Sequence, residues 1–188
     1  MKPSLLLACL LLATASSATV RTVSNAPSQP AQYNDLQTAI NAASTGDTLY
    51  VLGTGTAYPA VTIDKQLTVI GSGYAPPAPA QPTTVPTLYL YPNSGGTRII
   101  GLSISSYLYL YSSNITVERC NLYYISAQVA GLSNVVFRHN YIYYYGMNNP
   151  ASALVANNII HGGGYLQTSN STSVVITNNL FMGYYWHA

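Results

Sequence analysis

The chain has 188 residues, and only 5% of them are charged, where a soluble domain ordinarily carries about a quarter. The formal net charge of +2 falls to +1 without Lys2, so no basic stripe for nucleic acid exists. A surface so poor in charge must be Ser, Thr, Asn, Gln and Tyr, which suits a flat extracellular β-solid that adheres rather than repels.

At the start, Lys2 precedes the apolar run Leu5 to Leu12, which is too short to span a bilayer, and the small residues Ala13 to Ala18 follow. This pattern predicts a secretory signal over residues 1–18 and a secreted or cell-surface protein. Leu6-Leu7-Ala8-Cys9 competes as a lipoprotein box, but Cys9 stands too early for an apolar region to precede it. No later stretch is long and apolar enough for a membrane helix. After cleavage Cys120 is the one cysteine left, so no intrachain disulfide can form. About 170 residues remain, enough for one domain.

Residues 19–48 are expected to hold an N-terminal segment and a helix from Asn34 to Gly46. Asn34 is the expected N-cap, Asp35 suits the positive helix start, and Gly46 suits the stop. Leu36, Ala39, Ile40 and Ala43 share one face at helical spacing, fit to cover the first rung of a stack. Strands are expected at Leu49–Leu52, Val61–Ile63 and Leu67–Val69, the last two flanking an Asp64-Lys65-Gln66 turn. Residues 75–87 hold five prolines, which cannot sit inside a ladder, so they predict a loop ejected from it, with regular structure resuming at Thr87.

Beyond that loop four segments repeat: Asn114 to Leu122, Asn134 to Ile142, Ala153 to Ile160 and Ser173 to Phe181. Their apolar positions align at 115/117, 135/137, 153/155 and 174/176, alternating with polar residues. The next column is Cys120, Asn140, Asn158 and Asn179, at separations of 20, 18 and 21. A fixed period of this length marks a solenoid, and alternation makes its units strands. Asn tolerates the left-handed backbone of a sharp turn, and stacked Asn side chains can satisfy buried amides. Cys120 in that column is expected to be a small buried group with no redox or metal role.

The Asn column resembles that of the right-handed parallel β-helix repeats of the pectin-lyase-like superfamily. The run from the helix through Gly-Asp-Thr-Leu-Tyr-Val to Val-Thr-Ile-Asp-Lys-Gln-Leu-Thr-Val-Ile-Gly is similar to the cap and first coils of secreted bacterial members. The resemblance implies an all-β fold, a right-handed parallel β-helix of ~20-residue coils over residues 49–188 with a short N-terminal capping helix. A solenoid also needs a C-terminal cap, and none is evident after Asn179. The reading therefore expects a chain that continues beyond Ala188, with capping by Trp186 and its aromatic neighbours as the alternative.

Enzymes that the resemblance brings to mind cut acidic polysaccharides, as Ca²⁺-dependent lyases with an Arg or Lys base or as hydrolases with clustered Asp and a Gly-His-Gly motif. Such chemistry needs facing carboxylates or several oxygen ligands. The acidic residues are Asp35, Asp47, Asp64 and Glu118, and only Glu118 stands on a repeat strand. Arg138 falls in its outward column one rung later, which predicts a surface ion pair. Arg119, Arg138 and His139 form a secondary candidate for carboxylate binding. His161 precedes three glycines but follows Ile160, so it lacks the hydrolase motif, and His139, His161 and His187 show no metal-ligand spacing. No catalytic residue, metal or cofactor is assigned.

Tyrosines carry the stronger signal. Thr87-Leu-Tyr-Leu-Tyr91 and Tyr107-Leu-Tyr-Leu-Tyr111 repeat after 20 residues. If the leucines face the core, Tyr89, Tyr91, Tyr109 and Tyr111 form an outer platform suited to sugar rings, or a lateral stack that stabilises the sheet. Tyr123/Tyr143 and Tyr124/Tyr144 continue the register. Asn114-Ile-Thr116 and Asn170-Ser-Thr172 fit the glycosylation pattern, a short motif of little weight. The expected function is a non-catalytic module that binds polysaccharide or serves as a cell-surface structural element. The alternative is a lyase or hydrolase of acidic polysaccharide whose catalytic residues lie partly outside this chain.

Overall fold

A computed structural model describes residues 18–73, 81–168 and 173–183. The expected signal segment, most of the proline loop, the second glycosylation motif and the Tyr184–Ala188 end lie outside the described residues, apart from their margins. Among the described residues the one α-helix, α1, runs Leu36–Ala42. The early strands are β1 (Val20–Val23), β2 (Thr48–Val51), β3 (Val61–Ile63), β4 (Thr68–Ile70) and β5 (Thr84–Leu90). Next come β6 (Arg98–Ile100), β7 (Ser103–Leu110), β8 (Thr116–Glu118), β9 (Asn121–Ala127), β10 (Val135–Arg138) and β11 (Tyr141–Asn148). The last are β12 (Ser152–Ala156), β13 (Ile159–Ile160), β14 (Gly164–Gln167), β15 (Ser173–Thr177) and β16 (Leu180–Phe181).

These strands wind into a parallel β-helix. One sheet stacks β1-β2-β4-β6-β8-β10-β12-β15, and the other stacks β3-β5-β7-β9-β11-β13-β16 with β14 on β11, all pairings being parallel. The repeat register holds residue for residue: Val117 pairs with Phe137, Phe137 with Val155, and Val155 with Ile176. The second sheet bends at a corner. Register shifts between Val85 and Thr87 and between Ile104 and Tyr107, and β13 and β14 continue separate halves of β11. Each full coil therefore has three sides around one core. Val117 and Phe137 fill it from the first sheet, Ile104 and Leu122 from one half of the second, and Leu88, Leu108 and Ile125 from the other.

Strand β5 begins at Thr84, three residues before the expected restart. Pro86 is tolerated there because it sits at the register shift, where no ladder hydrogen bond is required of it. Helix α1 is shorter than expected, and its N-cap is Asp35 rather than Asn34. The Asp35 carboxylate accepts from the Thr38 backbone N–H at 2.7 Å. The chain leaves the helix at Ala43, so Gly46 serves a later turn, with φ +89°. Leu36, Ala39, Ile40 and Ala43 are all buried. The helix also closes hydrogen bonds on β3: the Gln37 amide donates to the Thr62 carbonyl and accepts from the Thr62 N–H at 2.8 Å.

The asparagine column stacks through hydrogen bonds. Backbone N–H groups of Cys120, Asn140 and Asn158 donate to the side-chain oxygens of Asn140, Asn158 and Asn179 at 2.9, 2.9 and 2.8 Å. Each Asn amide then donates inward to a carbonyl, those of Val117, Phe137 and Val155 in turn. Cys120 fills the same place with sulfur, accepting from the Leu102 N–H at 3.4 Å. The left-handed residues stand one position earlier than expected. Arg119, His139, Asn157 and Asn178 have φ between 53° and 57°, and Gly101 occupies that place a rung before. The turn thus divides its two tasks: one residue takes the strained backbone, and the next supplies the side-chain ladder.

Candidate functional site

The tyrosine columns lie where strand alternation puts them. Leu88, Leu90, Leu108 and Leu110 are at most 1% exposed, which leaves Tyr89, Tyr91, Tyr109 and Tyr111 facing outward. Tyr89 stacks on Tyr109 at 5.1 Å and 19° between planes, and Tyr91 meets Tyr111 edge-on at 5.3 Å and 76°. Tyr89 and Tyr91 touch at 6.1 Å. The four residues named from sequence form one cluster.

The cluster is part of a longer band. Tyr107 stacks on Tyr109 along the same strand at 5.1 Å and 6°. Ring contacts then pass from Tyr107 to Tyr124 at 5.3 Å, to Tyr144 at 6.4 Å, to Tyr123 at 5.6 Å and to Tyr143 at 6.0 Å. Tyr141 and the His161 ring complete the band on the adjoining side. Tyr107 pairs with Tyr124, and Tyr109 pairs with Ser126, so the band steps sideways by one outward column at β9. Tyr123 and Tyr143 occupy the corner of their coils, outside the strand pairing on either side. Tyr145 differs: it packs against the core and points away from the band.

Glycines make room for these rings. A Cβ at Gly146 would come within 2.9 Å of the Tyr165 ring, and one at Gly162 would collide with the Tyr143 carbonyl and the Tyr144 ring. Burial, then the neighbouring phenols of Tyr107, Tyr89 and Tyr111, push the Tyr109 hydroxyl above its ordinary value. Burial first and nearby tyrosines second do the same at Tyr124. These two phenols therefore stay protonated at neutral pH, on a rim of partly packed rings.

The secondary candidate residues separate into two groups. Arg138 pairs in register with Glu118 and donates to it from Nε at 2.6 Å. Arg98, which sequence reasoning did not place, donates to the other carboxylate oxygen at 2.7 Å. It lies diagonally across the rung, in register with Thr116, so a search for matching columns passes over it. Burial works to raise the Glu118 carboxyl, but the hydrogen bonds and charges of Arg138 and Arg98 outweigh it and hold it below its ordinary value. Arg119 and His139 sit instead on the exposed left-handed turns, and the His139 ring lies 3.4 Å from the Asn157 amide nitrogen.

The other carboxylates are engaged structurally. Asp47 accepts from the backbone N–H groups of Thr19 and Ser44 and from Arg21. The Thr19 bond foremost, with Ser44 and Arg21 adding to it, holds Asp47 below the ordinary carboxylate range against its burial. Asp35 caps the helix, and Asp64 binds the backbone and side chain of Asn93 at 3.1 and 3.2 Å. Among the described residues no group of three His, Cys, Asp or Glu could hold a metal ion. Cys120 is fully buried, which pushes its thiol up to about 12. No helix among the described residues is long and apolar enough to cross a membrane. No family model, curated protein or solved structure matches the chain.

Proposed function

We propose that this chain is a secreted β-helix module of the pectin-lyase-like kind that binds neutral polysaccharide through its tyrosine band without cutting it. The observation that carries the reading is the continuous outward band of uncharged rings centred on Tyr89, Tyr91, Tyr109 and Tyr111. Tyr89 and Tyr109 turn faces toward each other and offer edges and hydroxyls outward. The edge-on contact of Tyr91 with Tyr111 leaves one of those rings with both faces free of its partner. A sugar ring would lie against that open face and hydrogen-bond to the hydroxyl rim.

Affinity electrophoresis through gels containing neutral glucans, mannans or xylans tests this against Tyr109→Ala/Tyr111→Ala. Two lost contacts of about 1 kcal/mol each weaken binding about thirtyfold. The double variant stays folded, because removing outer rings opens no core cavity. Retardation of neither protein in any gel overturns the reading, and so does product release from pectin or alginate-type substrates, with or without Ca²⁺.

The close stacking of Tyr107, Tyr109 and Tyr89 also favours a second reading, a lateral ladder that stiffens the sheet. In that case the double variant loses stability and the native chain shows no retardation by any glycan.

A further inference from the structure

We propose that Tyr123 and Tyr144 form a site of oxidative coupling, at which a haem peroxidase and peroxide join two neighbouring coils by a covalent carbon–carbon bond. Three observations carry this. First, the two rings meet edge-to-face at 5.6 Å, from adjacent rungs. Second, they are 46% and 40% exposed, and among the described ring pairs theirs is the one in which both members are exposed. An oxidant can therefore reach both rings, and both can turn. Third, the band continues from Tyr144 through Tyr124, Tyr107 and Tyr109, so an electron vacancy created at any exposed ring has aromatic neighbours to move through.

The soft side chains nearest in the sequence are withdrawn from the oxidant. Cys120 and Met147, the softer alternatives nearest in the sequence, are at most 2% exposed. Gly162 packs against one edge of Tyr144, where a side chain would collide with the ring.

The step balances as follows. Each phenol gives one electron to the oxidised haem and one proton to solvent, leaving a phenoxyl radical. The two radicals join at the carbons ortho to their oxygens. Each ring then restores its aromaticity by losing the ortho hydrogen as a proton while its oxygen regains one. Two phenols and one peroxide give one biaryl and two waters, and the protein loses two hydrogen atoms.

Dilute native protein is treated with a haem peroxidase and peroxide, and the monomer is then isolated. The expected result is a monomer lighter by two hydrogen atoms, with dityrosine fluorescence and a chymotryptic cross-link joining the peptides of Tyr123 and Tyr144. Tyr123→Phe and Tyr144→Phe each remove that cross-link, since a phenyl ring cannot form a phenoxyl radical. Tyr50→Phe is the matched control: Tyr50 is as exposed as Tyr123 but lies on the first sheet. It leaves the yield unchanged. Coupling confined to dimers overturns the proposal. So does a monomer cross-link that survives Tyr123→Phe, or one that falls equally in Tyr50→Phe. Circular dichroism of each variant before oxidation confirms that an absent cross-link reflects chemistry and not unfolding.

Discussion

Replacing Asn140 by alanine tests the ladder where it is most completely buried. Asn140 is 3% exposed, and its side chain makes three hydrogen bonds. It accepts from the Cys120 N–H at 2.9 Å, donates to the Val117 carbonyl at 2.9 Å and donates to Asn158 Oδ1 at 3.0 Å. Asn158 Oδ1 keeps the Asn140 backbone N–H as a partner, so its loss is small. The Cys120 N–H is left with no acceptor in a dry site, and Val117 loses a donor. An orphaned buried donor costs about 1–3 kcal/mol and an ordinary bond about 1 kcal/mol, so Asn140→Ala should cost about 2–4 kcal/mol. That is a large share of the 5–15 kcal/mol of a typical domain. Asn140→Cys should cost about half as much, because the thiol at Cys120 already occupies this place and accepts a backbone N–H. Asn140→Asp should exceed Ala, since a carboxylate would face the Val117 carbonyl and Asn158 Oδ1 with no donor. Urea unfolding followed by far-ultraviolet circular dichroism measures all three. A cost below about 0.5 kcal/mol for Asn140→Ala, or a Cys variant worse than Ala, refutes the ladder as the main support of the turn.

Glu118→Gln should lower stability at neutral pH by about 1 kcal/mol, a modest amount because both arginine partners are partly exposed. The folded Glu118 pKa is depressed, so its contribution is present above the unfolded value of about 4.3 and fades as pH falls through the folded value; an acid titration should show the two proteins converging there. Arg119→Asn and His139→Asn should each stabilise by about 0.5–1 kcal/mol, measured by thermal melting, because Asn tolerates their left-handed φ better. Native Cys120 should resist thiol reagents until the chain unfolds, and rapid labelling would contradict its burial. Gly162→Ala should cost about 1–3 kcal/mol in urea unfolding, since the backbone carbonyl of Tyr143 cannot yield as a side-chain end can.

The columns of the first sheet and of the turn after it were legible because each recurs at one position per coil: the apolar pairs, the Glu118–Arg138 pair and the Cys120–Asn179 ladder. What escaped involves neighbours across two positions or a change of phase. The left-handed site is visible in hindsight in Asn157-Asn158 and Asn178-Asn179, where the doubled residue serves turn and ladder separately. Arg119 and His139 hide the same site in the other rungs, because neither residue type signals a positive φ. Arg98 reaches Glu118 diagonally, which no alignment of matching columns reveals. In the helix, Asn34 and Asp35 are both good caps by residue type, and only the Thr38 contact decides between them.

The phase change at the corner also explains the shape of the tyrosine band. Between Ile104 and Tyr107 the chain of β7 places two residues at the corner, whereas between Leu122 and Tyr124 the chain of β9 places one. Counting periods along the sequence therefore cannot carry the Tyr89/Tyr109 column onward. The residue that follows Tyr109 in register is Ser126, and the tyrosines continue from Tyr107 instead. A ladder shaped only by ring stacking would keep to one column, where successive rings lie one rung apart. Here the rings shift to the next column, turn edge-on at Tyr123 and Tyr144, and reach the coil corner at Tyr143, while the original column runs through Ser126 and Gly146, the latter covered by the Tyr165 ring. The oblique course keeps the contacts continuous across two sides of the solenoid and brings the most exposed rings to its edge. That placement suits a surface that meets another molecule better than one that only braces its own sheet.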